Sequence, residues 1–181
     1  MWIHGLKRLE EEIPMSESVL LDTSFFIRLL NEDDPYHKSA VDYYHYFMEK
    51  GITMKMSTIA IAEFCVKGSL TDLPIRNLMF VPFNMNHATK AGQLMAIVYE
   101  EKQKRGAQIS PRSVVPNDTK MFAQADISND IKYFCSADSE AVKVHDMMKS
   151  RIKVDFQFID IRSRTYNETF GVLNFEEGSE E

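Results

Sequence analysis

Two hydrophobic periods alternate along the chain. Short apolar or alternating runs at residues 18–21, 52–57, 78–83, 131–136 and 156–161 have the length and composition of buried strands. Between them, apolar residues recur at helical spacing, as in Phe25, Phe26, Leu29 and Leu30 after the first run. Further helices are predicted at 36–50, ended by Gly51, at 58–68, at 86–105, closed by Gly106, at 119–126 and at 140–149. Pro82 inside the third run suits a strand at a sheet edge. Residues 70–77 read as a connector and 162–173 as irregular. Ahead of the first strand, Trp2, Leu6, Leu9 and Ile13 share one side of a short helix stopped by Pro14. The organisation expected is an accessory segment at 1–17, one domain at 18–173, and an acidic, disordered tail at 174–181.

Strand and helix in regular alternation predict an α/β protein, a three-layer α/β/α domain around a mainly parallel five-stranded sheet. In open sheets of this kind ligands bind where strands end and helices begin. The interest therefore lies in the residues delivered to that edge.

Composition agrees with a single domain. A chain of 181 residues with 44% hydrophobic content can bury a core without disulfides. Cys65 and Cys135 both sit in apolar runs, Glu-Phe-Cys-Val and Tyr-Phe-Cys-Ser, and are expected to be reduced core residues of a cytoplasmic protein. No run reaches the ~18 apolar residues of a membrane span, and the N-terminus lacks the apolar region of a signal peptide. The net charge of −6 changes the picture less than it first suggests, because Glu176, Glu177, Glu180 and Glu181 lie in the tail. The rest of the chain sets 23 acidic against 21 basic residues, a near-neutral balance that neither implies nor excludes nucleic acid.

The candidate chemistry is carried by carboxylates. Asp22 leaves the first strand in Leu-Leu-Asp-Thr-Ser, Asp138 leaves the fourth in Cys-Ser-Ala-Asp-Ser, and Asp118 opens a helix in Pro-Asn-Asp-Thr. Glu63 lies in the helix Thr-Ile-Ala-Ile-Ala-Glu-Phe-Cys-Val, whose apolar character nearly all round predicts burial. Aspartates at such junctions also serve as helix caps and turn residues. A buried glutamate has fewer structural uses, since ionising it needs a cation or hydrogen bonds to offset desolvation. Four acids at one edge repel unless protonated or bridged, and a hard cation such as Mg²⁺ or Mn²⁺ is the usual bridge. Such an ion orients water and stabilises charge on phosphate oxygens, so metal-assisted phosphodiester hydrolysis is the chemistry this set suits.

Four pieces carry a family resemblance: Val-Leu-Leu-Asp22-Thr-Ser, Ser57-Thr-Ile-Ala-Ile-Ala-Glu63-Phe, Pro116-Asn-Asp118-Thr-Lys-Met-Phe-Ala-Gln-Ala and Phe134-Cys-Ser136-Ala-Asp138-Ser. In this order and context they resemble the PIN-domain nucleases, the fold of many toxins (VapC-type) of bacterial toxin-antitoxin pairs. The resemblance implies a sheet in order 3-2-1-4-5 and a Mg²⁺- or Mn²⁺-dependent endoribonuclease. Asp22, Glu63, Asp118 and Asp138 would be its catalytic and metal-binding residues, RNA its substrate, and an antitoxin and a second copy of the chain its partners. The last motif departs from the family's Thr-x-Asp-x-Asp-Phe, with Ser136 in place of the Thr and Glu140 in place of the second Asp. Thr23, Ser24 and Ser136 are candidates to hydrogen-bond the carboxylates, with helix initiation the competing role for the first two.

For RNA grip the candidates are Arg28, Arg112 and Lys120, followed by the clusters Lys102, Lys104, Arg105 and Lys143, Lys149, Arg151, Lys153, most of which would be solvated helix faces. Asp126, Asp155 and Asp160 read as structural or surface residues. Tyr43, Tyr44, Tyr46 and Phe47 suit packing better than base stacking. The five histidines form no zinc motif, and no glycine-rich phosphate loop is present. Position 24 is Ser, where a haloacid-dehalogenase-like phosphatase would need Asp. The competing reading is a non-catalytic module of the same fold that binds RNA or protein.

Overall fold

The computed structural model describes residues 17–106 and 116–172. At its centre is β1 (Ser18–Leu21), every residue of which is buried. It lies parallel to β2 (Thr53–Ser57) on one side and β4 (Ile131–Ser136) on the other. β3 (Met79–Val81) and β5 (Gln157–Asp160) complete a five-stranded parallel sheet in the order β3-β2-β1-β4-β5. The sheet order is the one implied by the resemblance, and Pro82 follows an edge strand as anticipated.

Helices cover both faces. These are α1 (Thr23–Leu30), α2 (His37–Glu49), α3 (Thr58–Phe64), α4 (Met85–Lys104), α5 (Asn117–Ile127), α6 (Ser139–Lys149) and α7 (Tyr166–Phe170). Successive residues of β4 show the two layers, because neighbouring side chains on a strand point to opposite faces. Tyr133 meets Phe170 of α7 on one face, and Phe134 meets Phe122 of α5 on the other. The α5 side has an aromatic centre, in which Phe122, Phe134, Phe156 and Phe158 pack with centroids 4.7–6.0 Å apart. Burying each such ring contributes roughly 1.5–3 kcal/mol. On the α2 side, Tyr43 and Phe47 are wholly buried and Tyr46 stacks on Phe170 at 4.4 Å. The α2 aromatics are therefore packing residues.

At the end of the sheet where the strands begin, Lys55 of β2 is buried and its ammonium pairs with Asp130, which also accepts from Ser18 Oγ. This ties the start of β1 to the turn before β4.

Three expectations need correction. Residues 162–173 are not irregular: Thr165 and Glu168 form a reciprocal capping box and Gly171, at φ 66°, ends α7 in the left-handed conformation. Helix α3 is not buried all round; only Ala60 and Phe64 are fully buried, Ile59 and Ile61 pack against the core in part, and Glu63 is exposed. Cys65 is likewise exposed, while Cys135 is buried. Periodicity shows that a helix has apolar faces, whereas burial needs a neighbour to cover each one, and the outer side of α3 borders open space. Arg112, the accessory segment expected at 1–17 except for Glu17, and the tail at 174–181 lie outside the described residues.

Candidate active site

A parallel sheet sends all its strand ends to one edge, and here that edge gathers the acids. Asp22 is the N-cap of α1 and Asp138 the N-cap of α6. Asp118 lies in the first turn of α5, where the helix dipole favours a negative charge. Glu63 comes from the last turn of α3, which starts directly from β2 at the cap Ser57. All four line a single cleft of about 640 Å³, together with Thr23, Ser24, Ile27, Val66 and Lys67.

Asp22 is the most constrained of the four, at 3% exposure. Its Oδ1 accepts from the Thr23 N–H at 2.7 Å. Its Oδ2 accepts from Ser24 Oγ at 2.6 Å and Ser136 Oγ at 2.7 Å. Each hydroxyl has a single proton and spends it here, so the 3.1 Å approach of the two serines is a contact rather than a further bond. Their lone pairs are used as well: Ser24 Oγ accepts from the Ala137 N–H at 2.9 Å and Ser136 Oγ from the Asp138 N–H at 3.0 Å. Two hydroxyls thus join the end of β1 to the end of β4 around one carboxylate. Burial pushes the Asp22 carboxyl above its ordinary pKa, the three hydrogen bonds pull it back, and nearby Glu63 adds a smaller upward push.

Glu63 is held differently from the sequence expectation. Its support is not a buried apolar setting but Thr23, whose Oγ1 donates to Oε2 at 2.7 Å. The alternative acceptor for that proton, the Ala60 carbonyl, is at 3.3 Å. Asp138 accepts from the Glu140 N–H at 2.9 Å and is half-buried. Asp118 is pushed up to about 7, first by burial and then by the charges of Asp22, Asp138, Glu63 and Glu140. Its carboxyl reports a surplus of negative charge at this edge.

The donor set is all oxygen, and the repulsion recorded at Asp118 is what a hard divalent cation relieves. That chemistry fits Mg²⁺ or Mn²⁺. Among the described residues, however, no three acids, histidines or cysteines are drawn into one closed coordination group, so the acids line the cleft without forming a cage.

Of the cationic candidates, Arg28 does not line this cleft. Its guanidinium pairs with Asp34, and it borders a smaller cavity of about 310 Å³ with Tyr36 and Arg162. That cavity shares Ser24 and Asp138 with the acidic cleft. Lys120 donates to Asn117 Oδ1 at 3.1 Å within its own helix turn and also lies outside the cleft. The cation that does line it is Lys67, in the turn that follows α3. Arg162 was equally open to discovery, two residues past the end of β5 at the same sheet edge. Ser24, weighed first as a helix starter, proves to bridge two strand ends. Asp126 and Asp160 are structural, the first accepting from the Asp155 N–H and the second gripped by Arg162.

No family model matches the sequence, and no curated protein sequence matches it. Solved structures do. The DNA-bound VapBC of Salmonella typhimurium is 15% identical, covering 80% of this chain and 98% of that one at a TM-score of 0.49. VapBC2 from Rickettsia felis, bound to a DNA fragment from its promoter, is 16% identical over 78% of this chain and 98% of that one, at 0.51. Mycobacterium tuberculosis VapC20, a toxin that cleaves the sarcin-ricin loop, is 17% identical over 70% and 94%, at 0.48. The likeness to the Rickettsia felis structure is one of fold, and it agrees with the sheet order and flanking helices described above.

Proposed function

We propose that this chain is a PIN-type endoribonuclease, dependent on Mg²⁺ or Mn²⁺, that hydrolyses RNA phosphodiester bonds and acts as the toxin of a toxin-antitoxin pair. The observation that carries the reading is the convergence of Asp22, Glu63, Asp118 and Asp138, from four separate elements, on one cleft at the carboxyl edge of a parallel sheet. The fold shared with a VapBC structure supports it.

In this reading the four acids would hold a divalent ion, which would supply a water of lowered pKa and offset charge developing on the phosphate. The chain's own contribution is orientation. Ser24 and Ser136 fix both position and rotamer of Asp22, and Thr23 aims Glu63. Asp118 carries the charge that most needs a counter-ion. Exposed Ile27 and Val66 give the cleft an apolar wall, on which a nucleobase or a covering antitoxin segment would rest.

The test is cleavage of a broad RNA panel with Mg²⁺ or Mn²⁺ and with chelator. Cleavage should require the metal and vanish in Asp22→Asn and Glu63→Gln proteins whose circular dichroism is unchanged. Metal-saturated protein that leaves every RNA intact moves the assignment to a non-catalytic binding module. The toxin role is separate: expression without a neighbouring small open reading frame should arrest growth, and unimpaired growth removes that part.

A further inference from the structure

A cavity larger than the acidic cleft lies along the sheet edge, between β5 and the end of α6. It is a groove of about 910 Å³ whose floor includes His145, Phe156 and Phe158 and whose rim carries Lys149, Lys153 and Arg164, beside Asp146 and an Arg151 already paired with Glu100 and Glu101. Neither Lys149 nor Arg164 has an ion-pair partner among the described residues, and Lys153 has only Asp155 at 3.9 Å, with both side chains largely in solvent. A patch of uncommitted cations stands out on a chain of net charge −6.

The groove reaches the acidic edge. Asp160 ends β5 in register with Ser136, and the Ile161 N–H donates to the Ser136 carbonyl at 3.1 Å. Asp160 and Arg164 line the groove, Arg162 lies between them in the chain, and Arg162 borders the small cavity that shares Ser24 and Asp138 with the acidic cleft. The cavities therefore follow one another along the sheet edge, from acids to arginines to a groove of cations over aromatic rings. His145 adds a second indication. It is 6% exposed, packs at a tilt against Phe158 with ring centroids 4.9 Å apart, and its Nε2 has no hydrogen-bond partner among the described residues. A ligand with flat polar rings would suit this wall better than an aliphatic one.

We infer that the β5–α6 groove is a second binding site for single-stranded RNA, which holds the strand running out of the acidic cleft, with phosphates on Lys149, Lys153 and Arg164 and a base against the aromatic floor. The chemistry is that of single-strand binders generally, cations tracking the backbone beside rings that stack any base. The inference rests on the ribonuclease reading for the direction of the strand, not for the groove itself.

The experiment uses the full chain carrying Asp22→Asn, which binds without cutting, and fluorescein-labelled oligouridylates of about 4 and about 15 nucleotides, lengths that bracket a typical single-strand site. The longer RNA should bind at least about tenfold tighter. The added changes Lys149→Ala, Lys153→Ala and Arg164→Ala, all at exposed positions, should remove that advantage. They should also lower the slope of log affinity against log salt by about 2, since each phosphate contact on a single strand contributes about 0.7. In the otherwise wild-type chain the same triple change should leave cleavage of the short RNA unaltered. A length advantage and salt slope that survive the triple change overturn the inference while leaving the nuclease reading intact. A chain that cuts neither RNA yet shows the groove-dependent length effect does the reverse. Displacement of the long RNA by an equal concentration of polyglutamate would also overturn the inference, by assigning the groove to an acidic protein segment.

Discussion

Replacing Asp118 by Asn should stabilise this protein when no metal is present. The carboxyl moves from an ordinary 3.8 in the unfolded chain to about 7 in the folded one. The direction is opposite to that of a salt-bridged aspartate, and so is the linkage. Below about pH 4 both states are protonated and the group is neutral in its effect. As the pH rises from 4 to 7 the unfolded chain loses its proton first, the folded state holds more protons, and stability falls. Above about 7 the penalty is constant. At about 1.36 kcal/mol per pH unit, the span has an upper bound near 4 kcal/mol. Asp118 is half-buried rather than sealed, so solvent screening reduces the expected value to about 2 kcal/mol. Urea unfolding in chelator, at pH 5 and pH 8, measures it: Asp118→Asn should gain about 2 kcal/mol over wild type at pH 8 and clearly less at pH 5. Added Mg²⁺ or Mn²⁺ should then favour the wild-type chain, because on the proposed reading the ion would bind four folded acids more tightly than three acids and an amide. Equal unfolding midpoints at pH 8, or a difference independent of pH, would refute the electrostatic account of the cleft.

Other expectations concern the frame around the site. Ser136→Ala removes one of the two hydroxyls on Asp22 Oδ2 and leaves the Asp138 N–H without its acceptor, so it should lower stability by about 1–3 kcal/mol in urea titrations; a loss below about 0.5 kcal/mol would show that water substitutes for it. Phe122→Ala opens the aromatic centre and should cost about 3–5 kcal/mol, read as a lower midpoint in the same assay. Lys55→Ala strands Asp130 beside a buried strand start and should cost about 2 kcal/mol, less than for a fully sealed pair because Asp130 is one-third exposed. Lys55→Met, which keeps the stem packed, should recover part of that loss.

What the chain discloses by itself follows from which forces act locally. The junction at Asp22 is legible because a buried run, an acid and two hydroxyl residues before a helical period are all neighbours in sequence. Asp118 and Asp138 follow from the same grammar. The surroundings of Glu63 are not legible, because the apolar pattern of 58–68 is the same whether a neighbour covers a face or a cleft leaves it open. Its exposure, and that of Cys65, depend on packing that no window of sequence contains. The helix at Tyr166–Phe170 lies between these cases. Thr165 and Glu168 at cap spacing and Gly171 beyond announce it, but five residues are too few for a hydrophobic period to show. The arginine cavity and the β5–α6 groove are wholly tertiary, since they join α1, α6 and the turn after β5.

The two serine hydroxyls around Asp22 also bear on when, during synthesis, the acidic cleft is completed. Ser136 is 114 residues downstream of the aspartate it orients, and the Ala137 N–H that completes the network follows it. A ribosome that has delivered β1, β2 and Glu63 has delivered half of the acids but none of this clasp. β1 is the middle strand, and it cannot acquire its second neighbour until β4 emerges. The order of the strands in space, set against their order in the chain, makes the cleft one of the last parts of the molecule to exist. On the reading proposed above, nuclease competence would arrive only with the completed sheet, which would leave nearly the whole time of synthesis for an inhibitor to bind.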